Sequence, residues 1–212
     1  RIVDMGVELK LDSRVDDLLA TMQSGKFDAC FLAVGAHIAK RAYIPAGDAS
    51  KVLDAVSVLR GMEDADKPLL GRRVVVYGGG NTAIDVARTA KRLGAEESII
   101  VYRRTREKMP AHDFEVEEAL QEGVQMKWLT TVKEAGEATL MVEKMALDES
   151  GFPQPTGEFE TIEADSLVLA LGQDVDLGLL AAVAGLTFDN GSVVVDAGMM
   201  TGHAGIFAGG DM

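Results

Sequence analysis

Alternating apolar and polar positions open the chain. Val7, Leu9 and Leu11 interleave with Glu8, Lys10 and Asp12, which predicts a short strand with one wet face. Leu18, Leu19 and Met22 then recur at helical spacing, predicting a helix over 15–22 that Gly25 closes. The uninterrupted apolar run at 27–34 predicts a strand buried on both faces. After a turn cluster at Pro45-Ala46-Gly47-Asp48, the positions Val52, Val56 and Leu59 predict a short amphipathic helix that fades at Gly61.

A polar, breaker-rich stretch at 63–68 precedes a more regular rhythm. Strand 74–77, helix 82–93, strand 98–102, helix 114–122 and strand 124–128 alternate as in a doubly wound α/β layer. The pattern at 140–147 and 159–162 predicts antiparallel strands joined by a Pro/Gly-rich loop at 151–157. A buried strand at 166–171 follows. Asp176 and Gly185 bracket a predicted helix over 177–184, and short strands are expected at 193–195 and 206–208.

Charge narrows the choice of partners. With 21 Lys+Arg against 34 Asp+Glu the chain carries a formal −13, which argues against nucleic acid or an anionic membrane as partner. A single cysteine, Cys30, excludes an internal disulfide framework, a CxxC pair and a self-contained thiolate cluster of zinc or iron–sulfur type. Redox chemistry here therefore needs an organic cofactor or another polypeptide. No run approaches the ~18 apolar residues of a membrane-spanning helix, and 1–10 lacks the apolar core of a signal peptide, so a reducing, cytoplasmic compartment is expected. The opening Arg1-Ile2-Val3-Asp4 and the end at Gly209-Gly210-Asp211-Met212 lead us to expect a segment of a longer polypeptide.

One stretch carries chemistry. Val74-Val75-Val76-Tyr77 runs directly into Gly78-Gly79-Gly80-Asn81-Thr82-Ala83, a GxGxxA pattern on a strand-to-helix junction. Gly78 permits the tight turn, Gly80 lets a pyrophosphate reach the main chain, and Ala83 lets the helix pack closely on the strand. The free N–H groups and positive dipole end of the helix then meet the phosphates, with Asn81 and Thr82 as added donors. An NAD site places an Asp or Glu about 20 residues further on, whereas an Arg there accommodates a 2′-phosphate. Here the second strand ends in Arg103-Arg104-Thr105-Arg106-Glu107-Lys108, with four bases, one acid and no carboxylate at its tip. Guanidinium forks match phosphate oxygens, so Arg103, Arg104 and Arg106 are candidate 2′-phosphate ligands and NADPH the expected cofactor. The competing expectation is a solvated turn whose charges pair with Glu96, Glu97 or Glu107.

These motifs resemble the pyridine-nucleotide-dependent flavin oxidoreductases typified by the small (beta) subunit of NADPH glutamate synthase, with its electron-bifurcating and dihydropyrimidine dehydrogenase relatives. The similarity rests on 78–85, on Val101-Tyr102-Arg103-Arg104 through Met109-Pro110-Ala111, on Leu169-Ala170-Leu171-Gly172-Gln173 and on Gly205-Ile206-Phe207-Ala208-Gly209-Gly210-Asp211. Val34-Gly35-Ala36 looks like the small-residue crossing in the flavin domain. The resemblance implies an α/β architecture in which a Rossmann-like, three-layer NAD(P)-binding domain is inserted into a truncated FAD-binding domain. Residues 1–48 and 173–212 would be flavin-domain pieces and 49–172 the NADP(H)-binding domain. It also implies cofactor contacts at Gly172, Gly210 and Asp211, the last toward the flavin ribitol. Electrons would pass from NADPH to FAD and on to iron–sulfur clusters in a large partner subunit. No second glycine fingerprint precedes Gly78, so NADPH is expected to bind this chain and FAD only the intact protein.

Hydride transfer between two rings requires no side-chain acid or base, and no catalytic residue is assigned. His37, His112 and His203 show no metal-ligand spacing with Cys30, and no metal is expected. Asp85 complements the helix dipole. Glu115, Glu117, Glu118 and Glu122 read as a wet helix face, while Cys30, Met199, Met200 and Trp128 read as packing. Two other functions remain open on sequence grounds: a non-catalytic NADP(H)-sensing or assembly module, and an NADH-linked electron-transfer subunit.

Overall fold

Runs of valine and isoleucine between glycine turns pair into a parallel sheet that centres the larger of two units. The computed structural model describes residues 1–36, 38–40, 44–45, 51–62 and 67–212. The chain divides into a unit of Arg1–Ile38 with Asp174–Met212 and a unit of Ala39–Gln173. The first begins with α1 (Leu18–Gly25) and β1 (Cys30–Leu32), and β2 (Ile38–Ala39) follows at the crossing. The larger unit continues with β3 (Lys51–Asp54), α2 (Ala55–Arg60), β4 (Arg73–Gly78), α3 (Asn81–Arg92) and β5 (Glu97–Val101). It then runs through α4 (Asp113–Gln121), β6 (Gln125–Lys127), β7 (Thr130–Ala135), β8 (Thr139–Leu147), β9 (Pro153–Glu163) and β10 (Ser166–Ala170). After β11 (Gln173–Asp174), the chain ends with β12 (Phe188–Asp189), β13 (Ser192–Val193) and β14 (Ile206–Ala208).

The larger unit has the expected three layers. Its five-stranded sheet has the order β3-β10-β4-β5-β6 and every adjacent pair is parallel. Side chains alternate across it, as the pleat requires. Val74, Val76, Ile100 and Val168 join the core beneath α3 and α4. Val75, Ile99, Val101 and Leu167 join a second core with Leu140, Val142 and Ile162 of the antiparallel sheet β7-β8-β9. Complete burial of one such side chain contributes about 1.5–3 kcal/mol, so both faces hold the sheet.

Small residues bring α3 close to the sheet. Ala83, Ala87 and Ala90 are fully buried, and the buried Ser98 hydroxyl of β5 donates to the Ala87 carbonyl at 2.9 Å. On the outer side Arg88 bonds Glu118 of α4 and Glu122 at its C-cap at 2.9 and 2.7 Å, and Arg92 shares Glu122. Part of the acidic face read as merely wet is therefore a clamp between helices.

Several expectations are corrected. Residues 7–11 form no strand; Leu9 and Leu11 are largely exposed, with no strand neighbour among the described residues to bury them. The first helix begins at Leu18 because Asp17 caps it, accepting from the Ala20 N–H at 2.9 Å. The expected helix around Val52 opens as β3, since Val52 and Leu53 find β10 beside them, and only Ala55–Arg60 is helical, capped by Asp54. Instead of a helix over 177–184 there is a three-residue 3-10 turn, Gly178–Leu180. Strand β9 runs through part of the expected 151–157 loop, and β7 was not anticipated. The larger unit begins at Ala39, ahead of position 48, and Pro45 already accepts a hydrogen bond from the Ala135 N–H of β7 at 2.8 Å.

In the smaller unit β1 and β14 pair in parallel over a core that includes Leu18, Leu32, Leu180 and Ile206. Cys30 packs there half-buried, and burial raises its thiol pKa above the ordinary value. Met199, assigned to core filling, is exposed. His37 lies outside the described residues. Among those described, no helix is long and apolar enough to cross a membrane.

Candidate dinucleotide site

The parallel sheet reverses its direction of growth between β4 and β10. From β4 the chain adds β5 and β6 on one side, while β10 and β3 lie on the other. Such a switch point leaves a crevice at the carboxyl ends of the strands, where α/β proteins bind ligands. A cleft of about 530 Å³ opens there. The glycine turn after β4 lines it, with Arg103 and Arg104 beyond β5 and Ala170, Leu171 and Gly172 at the end of β10.

The three glycines of the turn have different physical reasons. A Cβ on Gly78 would lie 2.1 Å from the Ala170 carbonyl oxygen, so glycine is what lets β4 and β10 close on each other there. A Cβ on Gly79 would lie 2.4 Å from the Tyr102 ring. Gly80 is different: it has φ −87° and ψ 175°, a conformation open to any residue, and its Cβ would meet no protein atom within 4 Å. Neither backbone nor neighbours demand a glycine at position 80. What a side chain there would fill is the cleft itself.

Gly80 also stands at the N-cap of α3, where it has no side chain with which to cap the helix. The first N–H groups of α3 are thus left for a ligand, with the positive end of the helix dipole behind them. Thr82 lines the cleft from the first turn. Asn81 acts otherwise than expected: its Oδ1 accepts from the His112 N–H at 3.0 Å. Together with the Ala111 N–H to Gly79 carbonyl bond at 3.1 Å, it ties the glycine turn to the loop after β5. Ala83 is fully buried and serves packing.

The basic segment divides by partner. Arg106 is ion-paired with Glu117 of α4 and lies in a separate surface depression with Phe114, not in the cleft. Arg103 and Arg104 line the cleft and make no ion pair among the described residues. Glu96, one of the carboxylates expected to neutralise them, is bonded to Arg72 instead. Arg103 is exposed; Arg104 is half-buried, and its Nε has no hydrogen-bond partner among the described residues.

Gly210 and Asp211 belong to the smaller unit, whereas all the cleft residues belong to the larger. Asp85 is exposed on α3 and does not line the cleft. His112 stacks on Phe114, with ring centroids 5.7 Å apart. Sequence reasoning missed Lys40, Tyr77, Tyr102 and Pro110 as lining residues. Tyr102 had a local signal, since it sits at the end of β5 beside the arginines; its hydroxyl donates to the Lys108 carbonyl at 2.7 Å, and burial raises its pKa. Lys40 had none, because its place beside Gly172 depends on the Lys40 N–H to Gly172 carbonyl bond at 3.0 Å across distant sequence.

A glycine turn feeding a helix at a sheet's switch point defines a Rossmann-like α/β unit. The chain belongs to the pyridine nucleotide-disulphide oxidoreductase family, whose description matches residues 3–212. It is 35% identical over 249 residues to the NADPH-Fe(3+) oxidoreductase subunit beta of Geobacter sulfurreducens, covering 99% of this chain and 37% of that protein. It is 31% identical over 242 residues to the glutamate synthase [NADPH] small chain of Escherichia coli, covering 98% and 50% respectively. The chain thus spans about a third to a half of the length of these relatives. Among solved structures, Mycobacterium tuberculosis FprA in complex with NADPH shares the fold with a TM-score of 0.66 and 20% identity, over 89% of this chain and 59% of that one.

Proposed function

We propose that the larger unit binds NADP(H), and that the chain is the pyridine-nucleotide portion of a flavin-dependent oxidoreductase that passes reducing equivalents from NADPH to FAD and on to an iron–sulfur partner. The observation that carries the reading is the pairing of an open Gly80 at the start of α3 with two arginines, Arg103 and Arg104, that line the same cleft without carboxylate partners among the described residues. The similarity to chains named for NADPH supports the choice of nucleotide.

NADPH supplies a hydride from its nicotinamide ring. The chain's residues bind and orient. The main chain at Gly80 and the first N–H groups of α3 receive the diphosphate, and Arg103 and Arg104 receive the 2′-phosphate through charge-assisted hydrogen bonds. The Tyr102 ring packs on Gly79 and keeps the turn rigid against β5. Gly172 lines the cleft at the end of β10. Arg106 is reassigned to bracing α4 through Glu117. Gly210 and Asp211 are assigned to the flavin side of the intact protein, and this chain, with no second glycine fingerprint before Gly78, is proposed not to retain FAD.

Calorimetric titration of the purified chain tests the reading. NADPH is expected to bind more tightly than NADH; equal affinities refute the 2′-phosphate assignment. Stoichiometric flavin absorbance after purification refutes the statement about FAD.

A further inference from the structure

Arg104 differs from Arg103 in having a support. Its guanidinium carbon lies 5.6 Å from the centroid of the Phe152 ring, within the range of a cation–π contact. Phe152 is not among the residues lining the cleft, and its ring meets Arg104, which is. It comes from the hairpin between β8 and β9, remote in sequence from the glycine turn.

That hairpin is held in two ways. Its tip is tied by Asp148, whose Oδ1 accepts from the Phe152 N–H at 2.9 Å and from the Ser150 N–H and hydroxyl at 2.9 and 2.6 Å. Gln154 Nε2 donates to the second carboxylate oxygen at 3.0 Å, and the Asp148 N–H donates to the Phe152 carbonyl at 2.9 Å. Its base is registered on the arginine loop through Leu129, whose N–H donates to the Arg104 carbonyl at 3.1 Å and whose carbonyl accepts from the Met145 N–H at 2.7 Å. Both the side chain and the main chain of Arg104 are therefore fixed by the same antiparallel sheet.

We propose that the tip of the β8–β9 hairpin is a specificity element of the nucleotide site, with Phe152 as the positioning residue that braces Arg104 for the 2′-phosphate and Asp148 as the tie that holds Phe152. This rests on the 2′-phosphate reading above. An arginine side chain free in solvent must lose rotamer freedom to grip a phosphate. A ring against one guanidinium face removes that freedom beforehand and leaves the edge donors available. NAD(H), which lacks the 2′-phosphate, is indifferent to the brace.

The test is calorimetric titration of the chain with NADP+ and with NAD+. Phe152→Ala is expected to weaken NADP+ binding by about 3- to 10-fold, with NAD+ affinity held within about twofold. Phe152→Trp, which keeps an aromatic face, is expected to restore the preference, a rescue that a general loss of folding would not show. Asp148→Ala is expected to shift the NADP+/NAD+ ratio in the same direction without touching the ring. If Arg104→Ala abolishes the preference while Phe152→Ala leaves it intact, or if Phe152→Ala weakens both nucleotides equally, the brace is refuted and the nucleotide assignment stands. If Arg104→Ala leaves the preference intact, the assignment of Arg104 falls and the brace falls with it.

Discussion

Gly78 approaches Ala170 so closely that a Cβ at position 78 would lie 2.1 Å from the Ala170 carbonyl oxygen, whereas two residues on a Cβ at Gly80 would meet nothing. The two glycines of one motif are thus separable by experiment. Gly78→Ala forces β4 and β10 apart at the mouth of the cleft and is expected to cost about 1–3 kcal/mol of stability by denaturant titration. Gly80→Ala is expected to leave stability within about 0.5 kcal/mol and to weaken NADPH binding at least tenfold, because its methyl group would enter the place proposed for the diphosphate. A Gly80→Ala protein that binds NADPH as the parent does would refute the cradle.

The proposed choice between nucleotides rests on charge at the tip of β5. Arg103 is exposed and lines the cleft, so Arg103→Glu replaces attraction by repulsion without disturbing a core. NADPH affinity is expected to fall to or below that of NADH, while NADH affinity changes little. In the parent protein, NADPH binding should weaken more steeply with added salt than NADH binding, because the additional phosphate contact is screened.

Asn81 links two loops through one hydrogen bond to the His112 N–H. Asn81→Ala leaves that N–H to solvent and loosens the 103–112 segment from the glycine turn. A loss of about 0.5–1.5 kcal/mol is expected for the bond itself. Hydrogen exchange should show faster exchange at His112 and at Ala111, whose N–H bonds the Gly79 carbonyl.

Stability should depend on pH through carboxylates. Hydrogen bonds from Arg88, then Arg92, hold the Glu122 carboxyl at about 2, and Ser150, Gln154 and the Phe152 N–H hold Asp148 likewise at about 2. Asp165 is also lowered, by the main chain and side chain of Arg73. Because these folded values lie below the ordinary carboxylate range, the unfolded chain binds protons first. The stabilisation is complete above that range and is lost as pH falls from about 5 toward 2. Thermal midpoints should therefore be level near neutrality and decline below pH about 5. Glu122→Gln should flatten part of the decline, and an unchanged slope would show that the α3–α4 clamp is not its source.

Elements whose cause is local were legible in the chain. The β4-turn-α3 unit announces itself because strand, glycines and helix start follow one another within a few residues, each with a steric reason visible in the residue itself. The apolar strands β4, β5 and β10 were legible because burial on both faces leaves no polar alternation. Strand β3 and the exposed 7–11 segment were misread for one cause. A short apolar pattern states that a face needs covering, and only the neighbour decides what covers it: β10 is present beside Val52, and among the described residues no strand pairs with Leu9. The expected helix over 177–184 had a capping residue, but Asp176 bonds the Gly178 N–H and closes a turn instead.

The sequence by itself determined the glycine turn, the basic loop after the second strand and the layered α/β class, since these follow from backbone sterics, charge and periodicity along contiguous residues. Only the tertiary structure decided which arginines line the cleft. Arg106 is drawn off by Glu117 of a neighbouring helix, and Arg104 is supported by Phe152 from a hairpin in another layer. The physical reason is that a charged side chain's role is set by what lies within a few ångströms of it. For these residues that environment is built by chain segments distant in sequence.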